Sequence, residues 1–356
     1  MKKFLIVLMI VAFGFTVFGN SIDKGVQKFT KICESNPLFN YKVIYVTDLC
    51  VDHKESVFIL DSNSRRILKF SPELKYIKSF GKKGSGPGEF NRAFKISLDK
   101  SGNIYVVEDF LKIIKFSGKG RFIMEKKISG FVTASSGKVI TYPIFAGMKL
   151  LYKSGYLLQI FNIDNKKILK EYKIQTSPNY AVSTGRGYLA PTIPFVGGHS
   201  FVETNGKYCL FGEGEKFNVR LVDKNGKIIS SVKKDYPKKI LAQKEREMLI
   251  DDLMEYFPGK KERPKFEKLL NNYKVKNYIH KLLLSEKYFF VFSVPEDICV
   301  KNRFPVEIYN FKGVFIKKIY FPKVPYKILG NYAYVIEKKE LEDDEEIKIV
   351  KYRIDL

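Results

Sequence analysis

Apolar and polar positions alternate in short runs through most of this chain, and turn residues punctuate the runs. Residues 57–61 read VFILD and 66–70 read RILKF; residues 104–108 read IYVVE and 112–116 read KIIKF. Runs of this length, rich in β-branched and aromatic residues, read as strands. The phrase repeats, with Phe70 and Phe116 standing 46 positions apart. A period of about 20–50 residues in a strand-rich chain marks the blades of a propeller or the coils of a solenoid. Between the phrases lies FGKKGSGPGEFNRAFKISLDKSGN, residues 80–103. Its glycines 81, 84, 86 and 88 give the backbone access to positive φ and sharp turns. The loop leads into a strand rather than a helix, so it lacks the setting of a phosphate-binding loop. It is expected to connect two blades.

The same reading extends along the chain. A four-strand unit is expected over 43–80, with strands at 43–51, 56–61, 66–70 and 74–80, and a second over 93–128. A weaker third unit spans 131–175, with strands at 138–145, 156–162 and 167–174. Its innermost strand is placed at 131–135. Residues 176–200 are rich in Gly, Pro and Ser and contain Arg186, Tyr188 and His199. A long irregular stretch in a compact domain is either a plain connection or a binding segment. The fourth unit, 199–233, carries the hairpin turn Asp223-Lys224-Asn225-Gly226.

From 237 to about 284 the period becomes helical. Ile240, Leu241, Met248, Leu249, Leu253 and Tyr256 fall on one stripe, and Phe266, Leu269, Leu270 and Tyr273 on another. This predicts a helical hairpin inserted in the β-rich chain. The fifth unit spans 278–322. The sixth, ending at 354, shows only three strands, and the run at 26–32 is placed to supply the fourth. The expected fold is therefore all-β: a six-bladed β-propeller with an inserted helical hairpin, its last blade closed by the N-terminal strand. Closure leaves no open sheet edge.

The repeated phrase resembles the NHL repeat and the wider group of bacterial six-bladed propellers. The resemblance rests on Phe80, Gly81, Gly84, Gly86, Gly88, Glu89 and Phe90, then on Ile96, Asp99, Gly102, Asn103, Ile104, Tyr105 and Val106. In the preceding unit it rests on Asp61, Arg66, Ile67 and Phe70. Ala93, Glu108 and Ser64 depart from the proline, aspartate and asparagine usual there. The match covers about residues 56–117, and it implies a fold far more than a function, because members include sensors, scaffolds, RNA binders and lyases.

Composition narrows the classes. Trp is absent while Phe (30) and Tyr (22) are abundant, which argues against the WD kind of propeller. Residues 1–19 combine Lys2 and Lys3 with an apolar run and a small-residue end, the pattern of a secretory signal peptide. The apolar run is short for a membrane span; an uncleaved anchor is the alternative. The mature protein is then 20–356, outside the cytoplasm, periplasmic or secreted. Four cysteines, at 33, 50, 209 and 299, form no CxxC and no dense framework. They read as buried thiols, with one bridged pair as the alternative. The formal charge of +25 is spread along the chain. Spread lysines suit solvated strand faces, while an anionic partner is the functional alternative. Nucleic-acid binders gather their charge on one face, and export counts further against nucleic acid.

No hydrolase or metalloprotease motif is present. The three histidines, His53, His199 and His280, have no spacing that demands convergence. Glu108, Asp109, Glu203, Glu213 and Glu215 are candidates for a channel mouth. Asp61 and Glu108 hold equivalent repeat positions, which favours a structural role, and Asp99 is explained by its turn. Asp48 and Glu203 have no such explanation and are the leading axial candidates. The expected ligand-binding set is Asp48, Arg186, Tyr188, His199 and Glu203. The reading is a monomeric, exported, non-catalytic binding module for a protein, a glycan or a small molecule, with no cofactor. The alternatives are a propeller-type lyase or lactonase with a metal in the channel, or a structural module of a cell-envelope assembly.

Overall fold

A computed structural model describes residues 29–99, 101–108, 112–127, 138–141, 144–151, 155–162, 168–174, 182–184, 187–189, 195–196, 200–204, 207–256, 262–300, 302–340 and 345–355. The strands form six four-stranded antiparallel sheets. From the inside outward, blade 1 is Asp48–Val51, Val57–Asp61, Arg66–Phe70 and Tyr76–Phe80. Blade 2 is Ala93–Leu98, Ile104–Glu108, Lys112–Phe116 and Phe122–Lys127. Blade 3 is Lys138–Thr141, Ile144–Leu151, Gly155–Asn162 and Ile168–Ile174. Blade 4 is Ser200–Thr204, Tyr208–Glu213, Phe217–Asp223 and Ile228–Lys234. Blade 5 is Ile279–Leu284, Tyr288–Ser293, Phe304–Asn310 and Phe315–Phe321. Blade 6 is Lys327–Leu329, Tyr332–Glu340, Glu345–Ile354 and, outermost, Phe29–Glu34. Each innermost strand touches that of the next blade, and the sixth touches the first, so the ring is closed.

Burial explains the sequence pattern. Second strands such as Val57–Asp61 and Ile104–Glu108 are buried at every position, because both faces of the blade are covered by neighbours. Outer strands such as Tyr76–Phe80 are mostly exposed and carry lysines. The core is a set of layers between blades. One layer joins Phe58, Leu60 and Ile67 of blade 1 to Ile96, Val106 and Ile114 of blade 2. Another joins Val57, Ile59 and Leu68 of blade 1 to Tyr334, Ile347 and Ile349 of blade 6. Each such side chain, fully buried, contributes about 1.5–3 kcal/mol.

Ring closure follows the expected topology with a shifted register. The closing strand is Phe29–Glu34, pairing Phe29 with Ile354 and Glu34 with Val350; residues 26–28 lie outside the described residues. Ser35 continues the seam, its N–H donating to Ile349 O at 2.9 Å and its Oγ accepting from Ile349 N at 3.0 Å. Lys351 of blade 6 reaches blade 1, pairing with Glu55 and lying 4.2 Å from the Tyr332 ring centroid.

Several boundaries differ from expectation. Blade 1 starts at Asp48, not 43: Val43 and Val46 are buried, but Ile44 and Tyr45 are exposed and lie outside the ladder. The run 138–145 holds two strands, and the innermost strand of blade 3 is Lys138–Thr141; the expected 131–135 lies outside the described residues. Pro143, which has no N–H to give a ladder, stands between the two strands and was the available sign of the break. The inserted helices are Gln243–Tyr256 and Arg263–Leu270, and 279–284 belongs to blade 5. Ile240 leaves the helical stripe; it is exposed and bridges Val275, and Ile250 takes the buried place. All four cysteines are free thiols.

In the glycine loop, Gly81 (φ +83) and Gly88 (φ +75) need the left-handed region, whereas Gly86 does not. Gly86 instead donates its N–H to Glu89 at 2.9 Å, and Lys82 pairs with the same carboxylate at 2.9 Å. The loop is tied to itself and connects blades 1 and 2.

Candidate functional site

The innermost strands surround an axial cavity of 470 Å³, reached by side chains of blades 1, 2, 4, 5 and 6. It extends to the turns that join first and second strands, at Asp52-His53, Asp99, Lys207 and Ser285-Glu286. His280 of blade 5 lies between the rings of Phe195, at 4.8 Å, and Phe304, at 5.8 Å.

Asp48 opens the innermost strand of blade 1 and is buried. Innermost strands of adjacent blades face each other without a ladder, so their edge N–H groups need other partners. Asp48 Oδ2 accepts one of them, from Ile96 of blade 2, at 3.1 Å, while Oδ1 lies 3.6 Å from Lys95 Nζ. The carboxylate therefore stitches two blades at the axis.

Glu203 lies in the innermost strand of blade 4 and is buried. Lys327 of blade 6 donates to its Oε1 at 3.0 Å. Blade 5 stands between these blades in the ring, so the ion pair crosses the channel as a bar. Lys281 of blade 5 turns away to donate to Pro325 O at 2.7 Å and lies 5.1 Å from the Tyr326 ring centroid. Burial, with Tyr45 and Asp48 nearby, pushes the Tyr326 phenol up to about 12, so it keeps its proton at neutral pH.

The lining combines carboxylates with an aromatic wall. Tyr208 and Phe311 meet edge to face at 4.9 Å, and Lys207 lies 5.1 Å from the Tyr208 ring centroid. Asp48, Asp52, Asp99, Glu203 and Glu286 line the cavity against Lys207 and Lys327, an acidic balance inside a chain of charge +25. Two of these acids serve turns. Asp52 Oδ1 accepts from Lys54 and Ser56 N at 2.9 Å, and Asp99 Oδ1 accepts from Ser101 and Asn103 N at 2.9 Å. Cys50, also in the wall, is buried, and desolvation holds its thiol well above the ordinary range, which leaves it a poor nucleophile. Among the described residues no three His, Cys, Asp or Glu side chains group closely enough to hold a metal ion.

The structure brings Asp48 and Glu203 to this one cavity. Arg186 and His199 lie outside the described residues. Tyr188 falls in the short strand Gly187–Leu189, which pairs with Val182–Thr184 between blades 3 and 4. Of the other expected mouth carboxylates, Glu108 points into the blade 1–2 seam, where Lys112 lies at 3.1 Å and Asn91 N donates to it. Asp61 is its counterpart, fully buried and held by Arg66 Nε at 3.2 Å. Glu213 and Glu215 line a different groove on blade 4, and Asp109 lies outside the described residues. Sequence reasoning missed Lys95, Lys327, Tyr326, Tyr208 and Phe311. Only the ring topology places them together, since they come from four different blades.

The family model DUF5128, described as a 6-bladed beta-propeller, matches residues 42–184. No curated protein matches the chain. Among solved structures, a Bacteroides fragilis NCTC 9343 protein described as a candidate exported protein is similar with a TM-score of 0.54 at 12% identity; the match covers 93% of this chain and 95% of that one. A DUF4221 family member from Bacteroides vulgatus gives a TM-score of 0.54 at 13% identity, covering 93% and 98%. A virginiamycin B lyase from Staphylococcus aureus reaches a TM-score of 0.39 at 10% identity, covering 92% and 98%. These likenesses concern the fold, and no reaction is carried over from them.

Proposed function

We propose that the chain is a non-catalytic, extracytoplasmic binding module that takes a small polar ligand with cationic donors into the axial cavity. The ligand enters from the side of the Asp52-His53 and Ser285-Glu286 turns. The observation that carries this reading is the acidic lining of the cavity in a strongly basic chain, with Asp48 and Glu203 held in fixed orientation by groups from other blades. Preset acceptors beside an aromatic wall suit an amine with an apolar flank. The oxygens of these carboxylates are already engaged by lysines and backbone amides, which favours recognition over proton transfer. The signal-like pattern of residues 1–19 supports a place outside the cytoplasm.

The test is thermal unfolding of the purified chain with a panel of polyamines, amino sugars and amino acids. A ligand present at about 100 times its Kd adds about 2.7 kcal/mol of stability, a clear rise in Tm. The double variant Asp48→Asn with Glu203→Gln should fold and lose that rise. A panel in which nothing stabilises the chain, or a rise that survives the double variant, would refute the axial site.

A further inference from the structure

A second concave region lies on the flank of blades 4 and 5, at the root of the inserted helices. It consists of a basin of 970 Å³ on blade 4 and one of 370 Å³ on blade 5. Phe217, Tyr236 and Tyr278 line both, so the two form one continuous groove. Its charge is unbalanced. Six cations, Lys216, Arg220, Lys233 and Lys238 of the first basin and Arg303 and Lys318 of the second, form no ion pair among the described residues, against three carboxylates in the first basin, Glu213, Glu215 and Asp235. The acids of the second basin are already matched. Glu296 pairs with Lys239 at 3.1 Å, Glu307 with Lys234 at 2.6 Å, and Asp297 with Lys244.

We propose that this groove binds an anionic polysaccharide, a chain of sugars carrying carboxylate or sulfate groups, along its row of unmatched cations. The site is separate from the axial cavity, which is too small and too acidic for such a polymer. A groove shared by two blades fits a chain and excludes a flat bilayer. Single-stranded nucleic acid needs open ring faces on which bases stack. Here the rings are committed to one another. Tyr236 meets Phe217 edge-on at 5.4 Å and Tyr278 at 6.0 Å, with Lys234 5.8 Å from its centroid. The phenols are also engaged: Tyr236 donates to Glu307 at 2.6 Å and Tyr278 donates to Tyr236 O at 2.8 Å. They form a fixed apolar wall between the cations, and the acid groups of the sugars are directed to Lys216, Lys233 and Lys238.

Binding of the full chain to polygalacturonate and to heparin, by calorimetry at several salt concentrations, tests the inference and separates carboxylate from sulfate recognition. Dextran, a thymidine oligonucleotide and anionic vesicles are the comparison probes. The charge-reversal pair Lys216→Glu and Lys238→Glu removes exposed side chains with no ionic partner, so the fold is retained. It should weaken polysaccharide binding by about tenfold or more and flatten the dependence of log affinity on log salt. The control pair Lys75→Glu and Lys83→Glu on blade 1, with the same change in net charge, should shift affinity by less than about threefold. The axial pair Asp48→Asn and Glu203→Gln should leave it unchanged. Equal losses from the groove and control pairs would overturn the site in favour of diffuse attraction. Tighter binding of the oligonucleotide or the vesicles, lost with the groove pair, would overturn the ligand class, as would equal binding of dextran.

Discussion

Lys327 and Glu203 illustrate what a buried ion pair does at the axis of a ring. Their side chains are 15% and 5% exposed, and the bond spans the channel. Taking both charges from water costs about as much as their attraction returns, so the pair is a poor source of stability and a good source of register. The expectation is asymmetric. Lys327→Met alone takes the cation from the buried carboxylate and should cost about 3 kcal/mol, whereas Lys327→Met together with Glu203→Met should lie within about 1 kcal/mol of the parent. Denaturant unfolding of both variants checks this. A double variant as unstable as the single one would show that the bar stabilises the ring outright. At this scale the sequence was partly legible. Asp48 and Glu203 stood out because no turn or repeat position accounted for them. Lys95 and Lys327 did not stand out, since a lysine in a chain of 63 basic residues carries no signal of its own.

Among the elements, the inserted hairpin is fixed by a buried cluster of polar bonds. Glu245, in the first turn of Gln243–Tyr256, accepts from Ala242 N at 2.8 Å, from Ile298 N at 3.0 Å and from buried Lys276 at 2.7 Å. The hairpin is thereby pinned to the loop after the second strand of blade 5, over the layer of Leu249, Phe266, Leu269 and Ile298. Burial alone would raise the Glu245 carboxyl, but these donors outweigh it and hold it below its ordinary value of 4.5. The folded state thus binds fewer protons than the unfolded state as pH falls. The contribution is fully present above pH 4.5 and is lost below it, as the folded carboxyl protonates. Hydrogen exchange of helix amides should show the hairpin loosening in that acid range, and Glu245→Gln should remove the pH dependence. Unchanged acid sensitivity in that variant would place the titrating group elsewhere. The hairpin was visible in the sequence as a change of period, but its exact stripe was not, because Ile240 and Ile250 are equally apolar and only packing against blade 5 distinguishes them.

For the whole molecule, closure is the decisive event. Phe29–Glu34 covers the edge of Glu345–Ile354, and Phe29 stacks edge-on against Phe321 of blade 5 at 4.6 Å. A chain lacking residues up to 34 would expose that edge and lose the seam. Its Tm should fall by at least about 5 °C, and it should self-associate at its free strand. Light scattering with calorimetry tests both, and a monomer of parental Tm would show that the ring does not depend on the closing strand. Charge also belongs to this scale. Lysines spread evenly in sequence become sorted in space, because strand rank within the blade decides exposure; the outer strands and the flank groove are basic while the axial lining is acidic.

By itself the sequence determined the repeat, the number of blades, the helical interruption and the need for an N-terminal strand, because each is written in local periodicity and in the count of strands. Phe70 and Phe116, or Asp61 and Glu108, carry the same environment at every recurrence, so a period suffices to read them. The tertiary structure alone decided which side chains meet. Glu203 and Lys327 are 124 positions apart, and Asp48 meets Ile96 from the neighbouring blade. A propeller brings one strand from each blade to a common axis, so its central cavity is composed of residues with no local relation. No periodicity encodes such a meeting; only the closure of the ring produces it.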